Sequence, residues 1–192
     1  MNKSRLEAFS DGVLAIIITI MVLEIKVPHS ADWQALQPMV PSFTSYLLSF
    51  VFIGIYWGNH HHLLHTVKTI SSGIIWANMA LLFCLSLIPF ATAWMGENGY
   101  QRNTVIAYSA LLFACGISFT ILQLAIQRAN EFTPALIEAF AVVKRKGVFS
   151  LMGYAVAIAT AFIDTRISCV CIVVVAIMWI VPDKNIEKAL KN

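Results

Sequence analysis

The chain has 192 residues, of which 59% are hydrophobic and only 12% charged, with a formal net charge of +3. Soluble domains carry roughly 25% charged residues, so this composition excludes an ordinary water-soluble globule and describes a membrane protein. The small positive balance reflects the sidedness of the loops, described below, and gives no reason to invoke a nucleic-acid partner.

A bilayer core takes about 20 mostly apolar residues per helix. Six segments meet or approach that length, at 8–27, 43–65, 73–95, 104–128, 147–164 and 166–182. Such lengths without period-two alternation predict helices rather than a barrel. The expected fold is all-α, one six-helix transmembrane domain over 1–192, multi-pass in the cell (plasma) membrane.

The first segment opens with Arg5-Leu6-Glu7-Ala8-Phe9-Ser10-Asp11 and runs straight into Gly12-Val13-Leu14-Ala15-Ile16. Lys3 and Arg5 ahead of a short apolar run raise the question of a cleaved signal. Asp11 falls where the apolar region of such a peptide should begin, so a retained helix is expected. A carboxylate in hydrocarbon is costly unless it faces a partner or water. Asp11 therefore marks a helix that lines something wet. Farther along, Ile16, Ile20 and Leu23 share a face at i, i+4, i+7, and Thr19 is the chief polar side chain. That stripe by itself reads as lipid contact or helix packing. Every face of the helix is apolar, and periodicity cannot choose a pore face.

Pro28 and Pro38-Met39-Val40-Pro41 bracket the first loop, where 30–36 is expected as a short interfacial helix. The second segment ends in Trp57-Gly58-Asn59-His60-His61-His62-Leu63-Leu64-His65. His61 and His65 stand at i, i+4, so a metal or haem site has to be weighed. His29 is the only other histidine and belongs on the opposite side; no carboxylate motif or thiolate pair completes a coordination shell. No cofactor is expected. The third segment carries Asn78 near its start. Gly96, Asn98 and Gly99 mark the third loop, and the fourth loop reads as the longest, holding Phe132-Thr133-Pro134-Ala135-Leu136-Ile137 and the cluster Lys144-Arg145-Lys146. That cluster reads as a topology signal beside anionic lipid. The last two segments are joined by a hairpin at Asp164-Thr165-Arg166. Cys84, Cys115, Cys169 and Cys171 all lie in apolar segments without metal-type or redox spacing and read as packing residues.

Two inferences join these segments. With six spans, one side holds Lys3, Arg5, Lys68, Arg128, Lys144, Arg145, Lys146, Lys184, Lys188 and Lys191, the other only Lys26, Arg102 and Arg166, so both termini are expected in the cytoplasm. At 1.5 Å rise per residue, Asp11, His60, His61 and Asn78 fall at comparable depth. A polar belt of Arg5, Ser10, Asp11, His60, His61 and Asn78 is predicted, locking the packing of the first three helices and fixing the angle of helix one. A histidine in it is placed to sense pH.

Arg5-x-x-x-Phe9-Ser10-Asp11-Gly12-x-x-Ala15-Ile16, then Thr19 and Leu23-Glu24-Ile25-Lys26-Val27-Pro28, resembles the signature of the endosomal and lysosomal potassium channel family, transmembrane protein 175 type. Trp57-x-x-His60-His61-x-Leu63, Asn78 and Pro89-Phe90 resemble its second and third helices. Leu14 stands where the family commonly carries phenylalanine. The resemblance implies a potassium-preferring cation channel with one six-helix repeat, similar to the bacterial members that assemble as homotetramers. It further implies a pore lined by the first helix of each subunit, without a Thr-Val-Gly-Tyr-Gly filter. Ile16 would form the main constriction, Ile20 and Leu23 further rings, and Thr19 would offer a hydroxyl nearby. Arg5, Phe9, Ser10, Asp11, Trp57, His60, His61 and Asn78 would form the supporting network. The rival reading is a proton-coupled transporter, or proton permeation through the same pore. An enzyme is not expected, since the sequence offers no nucleophile–base pair.

Overall fold

A computed structural model describes residues 2–180. Lys184, Lys188 and Lys191, counted above for sidedness, and the last two residues of the sixth segment lie outside the described residues. All regular structure among the described residues is helical: α1 (Lys3–Leu23), α2 (Val40–His65), α3 (Ser72–Ser86), α4 (Ile88–Glu97), α5 (Arg102–Ala129), α6 (Pro134–Thr160) and α7 (Thr165–Ile180). The interfacial segment expected in the first loop is a 3-10 turn, Trp33–Met39.

Each boundary has a local cause. The Asn2 side chain accepts a hydrogen bond from the Arg5 N–H, starting α1 five residues earlier than the hydrophobic run suggests. The third segment is split in two at Leu87. Pro89 supplies no N–H to the preceding turn, so the chain leaves α3 there and restarts as α4. The pair still makes one apolar span, Ser72–Glu97, and it is one of four long and apolar enough to cross a bilayer, with Lys3–Leu23, Trp33–His65 and Arg102–Ala129.

The fourth loop is the main correction. It is not the longest loop but a short connection of 130–133, because the Thr133 hydroxyl caps Leu136 N–H and Pro134 occupies the first turn of α6. The basic cluster Lys144–Lys146 therefore sits mid-helix. A helix of 27 residues is about 40 Å long, more than the roughly 30 Å hydrocarbon layer, so part of α6 stands clear of it. Leu136, Ala139, Phe140 and Val143 keep that part packed on the bundle while Glu138, Lys144 and Arg145 face outward.

The core runs along α5, which packs against both α3 and α6; α2 packs against α4 and α6 against α7. Leu81, Leu85, Val105, Tyr108, Leu112, Leu122 and Ile172 are fully enclosed there. Close approach is specific at Gly96, where an added Cβ would come 2.6 Å from the Ser42 Cα on α2. Gly99 and Tyr100 both take left-handed backbone at the α4–α5 turn, φ 57° and 60°. The unfavourable Tyr100 conformation is held by its hydroxyl, which shares a 2.7 Å hydrogen bond with Thr44 Oγ1. Asn130 fastens the opposite end: its Oδ1 accepts from the Lys68 and Thr69 N–H groups of the α2–α3 connection. Lys3, Arg5, Lys68, Arg128 and the α6 cluster thus gather at one end of the bundle, and Lys26, Arg102 and Arg166 at the other. All four cysteines are free, Cys115 buried and the rest half-buried.

Candidate pore helix and its polar support

α1 lies at the edge of the bundle and packs mainly on α2, α3 and α4 among the described residues. Its buried stripe is Leu6, Ser10, Leu14, Ile17 and Met21. At 100° per residue these cluster on one side, and the residues left outside cluster opposite them. The outward stripe includes Arg5, Phe9, Gly12, Ile16, Thr19, Ile20 and Leu23. Ile16 is 57% exposed, Ile20 42% and Leu23 78%. The packing thus decides which face of α1 its own bundle leaves uncovered, which periodicity could not. An open groove of about 590 Å³ runs beside this stripe, between Ile16 and Ile20 on one wall and Phe90 and Trp94 of α4 on the other. Thr19 spends its proton on the Ile16 carbonyl, 2.9 Å away, leaving its lone pairs outward.

The predicted polar belt divides into two. One part is buried and joins three helices. Ser10 Oγ donates to the Leu6 carbonyl at 2.8 Å, Asn78 Nδ2 donates to Ser10 Oγ at 3.0 Å, and Asn78 Oδ1 meets His60 Nε2 at 2.7 Å. The assigned directions are mutually consistent. Asn78 turns its amide nitrogen to the serine and its oxygen to the histidine, an arrangement that calls for a proton on His60 Nε2. Ser10, Asn78 and His60 are all at most 1% exposed.

The second part lies on the outer flank. Trp57 Nε1 donates to Asp11 Oδ1 at 3.0 Å, and the His61 ring stacks on Trp57 with centroids 6.1 Å apart. Arg5, expected in the belt, is exposed on the first turn, and its side chain joins neither part. His61 and His65 have ring centroids 5.1 Å apart, yet no group of three or more potential metal ligands forms among the described residues. Lys3 Nζ donates to the His65 carbonyl at 2.8 Å, capping the end of α2 with the start of α1.

Two features escaped the sequence reading. The far half of the bundle has its own buried hydroxyl cluster: Ser49 Oγ contacts Thr92 Oγ1 at 2.6 Å and Tyr108 OH at 2.8 Å, linking α2, α4 and α5. Ser45 and Ser49 at i, i+4 inside an apolar helix were the available signal. Past the end of α1, Lys26 pairs with Glu97 at 2.8 Å, fastening the chain just beyond α1 to the end of α4. The hydrogen bond to Glu97 and its negative charge hold the Lys26 ammonium above its ordinary pKa.

The family model described as "Endosomal/lysosomal potassium channel TMEM175" matches residues 5–89, which contain α1, the buried Ser10–Asn78–His60 chain and the Asp11–Trp57 pair. A potassium channel of Chryseobacterium sp. (strain P1-3) is 49% identical over 192 residues, the full length of both chains. The chain belongs to the TMEM175 family. The crystal structure of a lysosomal potassium-selective TMEM175 homologue from Chamaesiphon minutus is 30% identical, covers 93% of this chain and 96% of that one, and superimposes with a TM-score of 0.82. The endosomal/lysosomal proton channel TMEM175 of Gallus gallus is 32% identical over 140 residues, 66% of this chain but only 28% of that protein. This TMEM175 chain is accordingly an ion channel of helical membrane spans and not an enzyme.

Proposed function

We propose that this TMEM175 chain forms a potassium-preferring channel, a homotetramer in the plasma membrane whose pore is enclosed by the outward stripe of α1 from each subunit. Each subunit is one six-helix domain over 1–192, with both termini in the cytoplasm, where the lysine-rich end of the bundle would lie. The carrying observation is the two-faced packing of α1. Its own bundle buries Leu14, Ile17 and Met21 but leaves Ile16, Ile20 and Leu23 uncovered.

In this reading Ile16 forms the narrowest ring, and Ile20 and Leu23 stack beyond it toward the Lys26–Glu97 end. Isoleucine offers no ligand to replace an ion's water, so such a neck conducts when wet and closes by dewetting. Potassium gives up its hydration more easily than sodium, which makes selectivity real but loose. The buried Ser10–Asn78–His60 chain and the Asp11–Trp57 bond fix the angle at which α1 presents this stripe. Arg5 and Phe9 lie on the same outward stripe and would line the entrance on the amino-terminal side.

The test is potassium-gradient flux into liposomes, with an ionophore control. Ile16→Asn should raise the flux and reduce potassium-over-sodium preference, because an amide wets and widens the neck. Unchanged flux and preference in that variant would remove Ile16 from the pore. The animal relatives named as proton channels support a second reading, proton permeation through the same pore. A proton-coupled transporter gains no such support, since Asp11 and His60 belong to separate hydrogen-bond groups.

A further inference from the structure

On the side of the bundle away from α1 there is a cleft between α2, α5, α6 and α7, with no residue of α1 in its wall. It is a narrow slot with a cavity of about 40 Å³, open to its surroundings at one side. A space this narrow suits one extended hydrocarbon chain, with flexible side chains yielding to admit it. Phe52, Gly116 and Phe119 line it toward the middle of the bundle, and Gln123 and the exposed Lys144 toward the end where α1 begins, where its mouth lies.

Two details distinguish this slot from the grooves that any helix bundle presents to lipid. Tyr154 is 2% exposed, its ring lies 6.4 Å from that of Phe52, it lines the slot, and its hydroxyl makes no hydrogen bond among the described residues. Side chains on a helix lean toward its amino-terminal end, which for α6 is the mouth of the slot. The second detail is Gly147. A Cβ there would meet only Thr120 Oγ1, at 3.8 Å, so the missing side chain is what leaves this stretch of wall open. The α7 wall is fixed by Trp179, whose Nε1 donates to Ser150 Oγ at 2.7 Å while Lys146 lies over its ring at 5.7 Å.

We propose that this slot binds one acyl chain of an anionic phospholipid. The phosphate meets Lys144 at the mouth, and an ester oxygen accepts the hydrogen bond that the Tyr154 hydroxyl lacks. The lysine at the mouth selects the charge of the head, and the slot's narrowness selects a single chain.

The test is native mass spectrometry of the full chain after reconstitution in vesicles of phosphatidylcholine and phosphatidylglycerol and mild re-extraction. Wild type and Gly147→Ala should retain phosphatidylglycerol preferentially. Gly147→Leu, which places a branched side chain where two or three methylenes would lie, should reduce retention about tenfold or more. Lys144→Gln should reduce the preference for the anionic head about fivefold. Tyr154→Phe removes only the hydroxyl and should cost about threefold; it serves in place of Gly147→Leu should that variant fail to fold. Equal retention by wild type and all variants would mean annular lipid only and overturns the proposal. So would retention without preference between the two headgroups, or displacement of phosphatidylglycerol by oleate at equal concentration, which assigns the slot to a free fatty acid.

Discussion

Asn78 is the side chain on which the position of α1 most depends, because it alone links α1 to α2 within the buried chain. Asn78→Ala removes two hydrogen bonds and leaves the His60 Nε2–H without an acceptor in a site 1% exposed. Interhelical hydrogen bonds in membranes average about 0.6 kcal/mol, and an orphaned buried donor costs about 1–3 kcal/mol. The expected loss is therefore about 2–4 kcal/mol. His60→Leu removes one bond and orphans Asn78 Oδ1, for about 2–4 kcal/mol. In the double variant neither orphan remains, since both ends of the 2.7 Å bond are gone. Its cost should fall short of the sum of the singles by at least about 2 kcal/mol, because both orphan costs vanish and the shared bond is lost only once. Reversible unfolding in mixed micelles or bicelles, followed by tryptophan fluorescence, measures all three. Additivity within about 0.5 kcal/mol would refute the Asn78–His60 bond and with it the assigned tautomer of His60. A matching change in ion flux for Asn78→Ala, absent in an equally destabilised variant far from α1, would tie the chain to the angle of α1 and support its proposed place in the pore.

Other outcomes follow from single contacts. Gly96→Ala should destabilise the fold by about 2–3 kcal/mol, because its new Cβ would press on the Ser45 hydroxyl and on the Ser42 backbone, which cannot swing away; thermal denaturation in detergent reads this directly. The Lys26–Glu97 pair predicts a sign with pH. A lysine held above its ordinary pKa contributes stability fully present below that ordinary value and lost as pH rises through the elevated one. Between about pH 6 and about pH 9 the pair should therefore leave the melting temperature unchanged. Titration of Lys26, followed by the heteronuclear shift of its labelled side chain, should move to lower pH in Glu97→Gln. The pair is largely solvated, with side chains 80% and 41% exposed, so a large change in melting temperature in that variant would contradict its assignment as a weak surface strap.

The depth of polar residues was legible from the chain before any coordinates. Helical rise places Ser10, His60 and Asn78 at one level, and hydrocarbon forces polar side chains at one level to find each other. The same reasoning grouped Asp11 and Arg5 with them, which packing does not. Angular position around α1 separates Ser10, facing inward, from Asp11 on the flank and Arg5 outside. Depth is linear in sequence, whereas rotation about a uniformly greasy helix is set only by its neighbours. The misread fourth loop has a related origin. A hydropathy window stops at Lys144–Lys146, but the helix itself begins at the Thr133 cap and continues past the end of the hydrocarbon, its inner stripe still packed on α5.

Composition, segment length and loop charge by themselves determined an all-helical membrane protein, the order of its spans and which connections share an end, because transfer into hydrocarbon is a property of each segment taken singly. The tertiary structure alone decided which stripe of α1 is left uncovered, which hydroxyls pair in the far half, and where a glycine leaves a slot open. Those are relations between helices brought together from distant parts of the chain, and each depends on rotation and contact that no single segment specifies.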